Sequence, residues 1–251
     1  MKPVFSRIRR LAAKASADYE MISSGDHLLV GISGGKDSLV LLHILLALKE
    51  KIPFSFSLTA ATFDPGFSGF SAAETAEYCR SLGVEHHLIP FDMKALLEEK
   101  KWQDSPCVLC SRMRRGCLYT FARNHGCNKL VLGQHMDDVI VSFLISLSRG
   151  EGLTTMGPNV PSEDGSLRVI RPLIYVRESM IQEAAEDLSL PVRGECEYKA
   201  YLAENGIRSY FRDLLENMEQ RIPDIRSHIL RSLTDIRPEY LLDKRFLDLP
   251  R

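Results

Sequence analysis

Apolar positions along the chain fall into two alternating rhythms. Short apolar runs bounded by Gly, Pro or Asp recur at residues 27–32, 54–63, 84–90, 130–133 and 169–174, and read as buried strands. Longer runs at 39–46, 71–82, 111–125, 139–147 and 177–188 read as helices. Gly83 and Gly126 follow two of them, where a helix-ending residue is wanted. This alternation predicts an α/β fold, a parallel sheet with helices on both faces. Residues 1–25 read as a basic helical segment leading into the first strand, and 206–221 as a helix ending before Pro223. The Gly- and Pro-rich stretch 149–165 reads as a lid or substrate loop. With no repeat or clear boundary, residues 1–251 are expected to form a single domain, with 192–251 as a small helical C-terminal extension.

Composition narrows the class. A chain of 251 residues, 45% hydrophobic, can bury a sizeable core. A formal charge of -1 gives no global pull toward nucleic acid, so such a partner must be met by local patches. No apolar run approaches the roughly 20 residues of a membrane span, and no signal peptide is visible, so a cytoplasmic protein without a membrane partner is expected. In that compartment the six cysteines favour metal or redox chemistry over disulfides.

The first chemical signal is the turn Ser33, Gly34, Gly35, Lys36, Asp37 and Ser38, set between strand and helix. Glycines let a ligand approach the backbone, and the opening amides of the helix favour an anion. The serine hydroxyls and Lys36 suit phosphate, and Asp37 can reach it through Mg²⁺. A Walker loop is excluded by Val30 and Asp37, and a dinucleotide fingerprint by Ser33. The second strand delivers Asp64 to the same sheet edge. After the fourth strand, Gly133 leads to Asp137 and Asp138 at a helix start, where they can serve as caps or assist a metal and a developing oxyanion.

The second signal is Cys107 and Cys110, on the first turn of a helix where thiolates are stabilised. One Cys-x-x-Cys alone leaves zinc, a redox couple and an iron–sulfur cluster open. Cys79, Cys117 and Cys127 read as packing residues. The same helix carries Arg112, Arg114 and Arg115 without an acidic neighbour, and the N-terminal segment carries Arg9 and Arg10. Both are candidate RNA-backbone contacts.

The motif at 33–38 resembles the PP-loop of the ATP pyrophosphatases, whose domain is Rossmann-like (adenine nucleotide alpha hydrolase-like). With the Cys107 to Gly116 run, the Gly133 to Asp138 turn, Val169 to Leu173, and Arg237-Pro238, the chain is similar to the tRNA 2-thiocytidine synthetase family over nearly its whole length. The family pattern carries a histidine where this chain has Gln134, and a different tail after the third cysteine, here Cys196 followed by Glu197. The resemblance implies an ATP-dependent tRNA sulfurtransferase that adenylates the C2 oxygen of an anticodon-loop cytidine and replaces it with sulfur. It further implies ATP, Mg²⁺ and a [4Fe-4S] cluster on Cys107, Cys110 and Cys196. Lys36, Asp37, Asp137 and Asp138 are then the candidate catalytic residues, and residues 33–38 with Asp64 and Gly133 the nucleotide site. The implied partners are tRNA and a sulfur donor, sulfide or persulfide derived from a cysteine desulfurase; homodimer formation is left open. Competing readings are another PP-loop tRNA-modifying ligase, acting on a different base or ligating an amine in the lysidine manner, and a non-enzymatic nucleotide-binding protein with zinc.

Overall fold

The computed structural model describes residues 2–67, 72–99, 106–162, 164–192 and 206–247. Six strands form one sheet: β1 (His27–Gly31), β2 (Ser57–Asp64), β3 (Glu85–Pro90), β4 (Lys129–Val131), β5 (Asn159–Pro161) and β6 (Arg168–Ile170). Their order is β3-β2-β1-β4-β6-β5. All neighbours are parallel except β5 and β6. The antiparallel edge strand β5 lies in the stretch expected to be a loop, and residues 171–174 turn away where the last strand was expected to continue. A short helix, α4 (Met93–Glu99), was not anticipated.

The sheet is covered on both sides because its strands alternate inward positions toward two cores. Leu28 and Val30 of β1, Ala60, Val131 and Ile170 face a core with α1 (Pro3–Asp18), α2 (Lys36–Lys49) and α7 (Glu178–Asp187). Leu29, Ala61, Leu130 and Val169 face the other side, against Leu118 and Ala122 of α5 (Pro106–Asn124). Full burial of each such aliphatic side chain contributes about 1.5–3 kcal/mol. α3 (Ala72–Ser81) packs by Cys79 on the α2 side. α6 (Met136–Arg149) turns Val139 to the main core and Ile140 to Leu215 of α8 (Ile207–Arg221). Ile225 and Ile229 of α9 (Ile225–Ser232) complete that second contact.

β1 and β4 are adjacent although β1 connects to β2 on its other side, so the chain reverses its winding between them. Ligands bind at such a switch point, beyond the carboxyl ends of the strands. Among the described residues no helix is long and apolar enough to cross a membrane.

Candidate nucleotide and thiol site

The two segments that leave the switch point are the turn after β1 and the turn after β4. The first is held open by its own serines. Ser33 N–H donates to Ser38 Oγ (3.1 Å), Ser38 Oγ donates to the Gly35 carbonyl (3.0 Å), and Gly35 N–H donates to Ser33 Oγ (3.3 Å). Gly34 turns the backbone at φ 78°, which L side chains adopt at a cost. The first amides of α2 have no intrahelical acceptor and face the space beyond the strand. Gly133, at the end of β4, packs directly on this cradle. A Cβ there would meet the Asp37 carbonyl carbon at 3.0 Å and the Ser38 nitrogen at 3.1 Å. Gly133 is therefore a packing contact of the turn at 33–38.

Lys36 Nζ donates to Glu178 Oε1 at 2.8 Å and lies 3.2 Å from Asp37 Oδ1. Burial opposes its charge, but Glu178 and Asp37 outweigh it and hold the ammonium above its ordinary pKa. Glu178 in turn resists its own burial and stays below the usual carboxylate range because of Lys36 and Arg212. His135, the residue before α6, is 1% exposed, with Nε2 3.4 Å from Asp138 Oδ2 and 4.0 Å from Asp37 Oδ1. Burial disfavours the imidazolium, yet Asp137, Asp138 and Asp37 raise its pKa above the ordinary value.

The adjacent carboxylates Asp137 and Asp138 have different surroundings. Asp137 Oδ2 accepts the Glu178 backbone N–H and Oδ1 accepts Arg226 Nε, both at 2.7 Å. Burial pushes its pKa up, but His135, Glu178 N–H and Arg226 together pull it far below the carboxylate range. Asp138 faces Arg212 at 3.5 Å and Arg208 at 4.0 Å, both on α8. Asp137 is thus committed to holding α7 and α9 in place, and Asp138 is the carboxylate turned toward the partly exposed side.

The residues fit a polyphosphate with a divalent cation. Asp37 Oδ1 is buried and accepts no hydrogen bond of good geometry, facing only the Lys36 ammonium at 3.2 Å, so it keeps acceptor capacity of the kind a hard cation uses. Asp64 ends β2 two strands from β4, and its Oδ1 accepts Gly66 N–H at 2.9 Å, closing the turn there.

Cys107 lies in the first turn of α5, and Cys110 is one turn further on. Cys110 packs with Phe63, Phe67, Met93 and Leu109, against the carboxyl end of β2. The thiol helix thus begins at the sheet edge that carries the nucleotide cradle, in an apolar nest that suits thiolate ligation of a soft metal centre. Cys196 lies outside the described residues. Arg112, Arg114 and Arg115 are exposed and form no ion pair among the described residues. Arg9 and Arg10 sit on α1, half-buried and exposed respectively, so the two basic groups are on helices covering opposite faces of the sheet.

A family model described as a PP-loop domain matches residues 5–208. The tRNA-cytidine(32) 2-sulfurtransferase of Pelobacter propionicus is 38% identical over 248 residues, covering 98% of this chain and 92% of that protein. The chain belongs to the PP-loop family, in the branch of the tRNA-cytidine(32) 2-sulfurtransferases. The Geobacter sulfurreducens protein of the same name is 37% identical, covering 98% of this chain and 97% of its own length. Among solved structures, the U34-tRNA thiolase NcsA from Methanococcus maripaludis with its [4Fe-4S] cluster superposes with a TM-score of 0.76 at 24% identity. The match covers 93% of this chain and 80% of that one. An NH3-dependent NAD synthetase from Campylobacter jejuni shares the fold at a TM-score of 0.51 and 17% identity, covering 94% and 98%. In this PP-loop chain the site also contains residues that motif reading did not assign: His135, Glu178, Arg208, Arg212 and Arg226. His135 was visible inside its motif. Glu178 and Arg226 carried no local signal, since they stand 142 residues from Lys36 and 89 from Asp137.

Proposed function

We propose that this chain is an ATP-dependent tRNA sulfurtransferase that converts cytidine 32 to 2-thiocytidine. In the first step the cytosine O2 attacks the α-phosphorus of ATP and pyrophosphate leaves. In the second, sulfur bonds to C2 and the C2–O bond breaks, releasing AMP. The observation that carries this reading is the meeting of the two chemistries at one sheet edge: the PP-loop with Lys36 and Asp37 after β1, and Cys110 against the end of β2.

Lys36 and the α2 amides bind and orient the triphosphate, with Mg²⁺ held through Asp37 and Asp138. Cys107, Cys110 and Cys196 would hold a [4Fe-4S] cluster, which would relay the donated sulfide to the activated base. Glu178 keeps Lys36 charged and directed, and Arg112, Arg114 and Arg115 offer phosphate contacts on the thiol helix. The donor in this reading is sulfide-level sulfur from a cysteine desulfurase, given directly as sulfide or set free from its persulfide by a thiol reductant.

Protein purified without oxygen, incubated with tRNA transcript, ATP, Mg²⁺ and sulfide, is expected to yield 2-thiocytidine by nucleoside mass spectrometry, and Cys110→Ser to yield none. Zinc in place of iron and acid-labile sulfide, with no thiolated nucleoside, would overturn the reading in favour of the nucleotide-binding alternative.

A further inference from the structure

Between the PP-loop and α5 lies a polar pair that the reaction as described leaves unused. Arg171, just past β6, donates from Nε to Gln134 Oε1 at 3.0 Å and from Nη1 to the Gly157 carbonyl at 2.5 Å. Among the described residues no carboxylate pairs with it. Burial, with the neighbouring Arg115 charge adding to it, holds the guanidinium below its ordinary pKa despite an opposing effect of Tyr119. A half-buried cation set among neutral acceptors is arranged for directed hydrogen bonding.

The consequence falls on Gln134. Its carbonyl oxygen is occupied by Arg171, so the group it can present to a ligand is its NH₂, a donor. Its location is equally specific. Gln134 follows Gly133, which touches the backbone of Asp37 and Ser38, and Leu132, two residues before it, packs in the core formed with Leu118 and Tyr119 of α5. The partly exposed amide therefore lies between the ATP cradle and the thiol helix. A base that must take AMP from one and sulfur from the other occupies that interval.

We propose that Gln134 selects cytosine over uracil at this site, and that Arg171 is a positioning residue that fixes the direction of the Gln134 amide. The inference rests on the thiolase reading. Cytosine N3 is an acceptor and pairs with the Gln134 NH₂, whereas uracil carries N3–H, so two donors face each other and neither is satisfied. An amide free to turn would offer uracil its oxygen; the Arg171 hydrogen bond prevents that turn. A donor covered by the bound base and left unpaired corresponds to roughly tenfold to hundredfold discrimination.

The test uses full-length protein and two tRNA transcripts differing only by C or U at the target position, with the ratio of 2-thiolated products as the readout. Gln134→Glu keeps a partner for Arg171 but presents only acceptors, and the ratio is expected to shift toward uridine by about a hundredfold. Gln134→His, with Arg171 donating to one ring nitrogen, keeps a donor on the other and is expected to retain the cytidine preference. Arg171→Met frees the amide, and the preference is expected to fall toward parity with the KM for ATP unchanged. Where Arg171→Met does not fold, the Gln134 pair still decides. An unchanged ratio in Gln134→Glu, with normal 2-thiocytidine from the unaltered protein, overturns this assignment alone. No 2-thiocytidine from the unaltered protein would remove the thiolase reading and this assignment together.

Discussion

Arg226 Nε donates to Asp137 Oδ1 at 2.7 Å, tying the last long helix of the fold to the first turn of α6. The same guanidinium reaches Glu216 and Glu219, and Glu219 accepts two hydrogen bonds from Arg177 at 2.8 and 2.6 Å. Arg226 is 4% exposed, so its removal leaves Asp137 Oδ1 buried without the cation it pairs with. Arg226→Ala is expected to cost about 3–5 kcal/mol in urea denaturation. Arg226→Lys is expected to cost less, because it keeps the charge and loses the planar fork. Equal stability of the alanine variant and the unaltered protein would mean that the C-terminal helices do not anchor Asp137.

Gly133 and Gly116 predict opposite outcomes for the same substitution. A methyl at Gly133 collides with the backbone of Asp37 and Ser38, which cannot move without shifting the nucleotide cradle. Gly133→Ala is expected to weaken ATP binding about fivefold to a hundredfold in calorimetric titration, if the cost of about 1–3 kcal/mol for overpacking falls on the bound state. Gly116 lies within α5 with nothing within 4 Å of its Cβ position. Gly116→Ala is expected to raise stability by up to about 1 kcal/mol through helix propensity.

The raised pKa of His135 makes part of the stability pH-dependent. Its imidazolium is disfavoured by burial but more strongly favoured by Asp137, Asp138 and Asp37. A group with a raised folded pKa contributes stability that is fully present below its unfolded value, about 6.5. The contribution is lost as pH rises through the folded pKa. The stability difference between the unaltered protein and His135→Asn is expected to shrink as pH rises from about 6.5 through the raised folded pKa. An imidazole proton titrating below about 6.5 in NMR would contradict this sign.

Burial pushes the Cys79 and Cys127 thiols up to about 11, and raises Cys117 as well. Native protein treated with iodoacetamide near neutral pH is expected to stay unlabelled at Cys79 and Cys127, and both should label in denaturant. Labelling of Cys127 in native protein would show that it is not the packing residue its position implies.

The strand, turn and helix at residues 27–49 were legible because the signal is local: an apolar run, glycines and a second apolar run follow one another in the chain. β5 was not legible. It has three residues, ends in Pro161, and exists by pairing Val160 with Val169. α4 is similarly short, with too few residues to display a period. The basic residues were readable as two groups, but their separation onto opposite faces depends on which core each helix joins.

What the sequence by itself determined is the motif chemistry: a phosphate-binding turn, paired carboxylates at a helix start, two thiols on another, and an α/β alternation that puts such turns at one edge. Covalent spacing is enough for these because each lies within about two helical turns. Only the tertiary structure decided how the groups divide the work. Lys36 with Glu178, Asp137 with Arg226 and Gln134 with Arg171 are separated by 142, 89 and 37 residues. Their meeting depends on sheet order and helix packing. Asp137 and Asp138 are identical in type and adjacent in sequence, and one is buried in ion pairs while the other faces the partly exposed side. That difference arises from the elements packed around them, which local spacing does not encode.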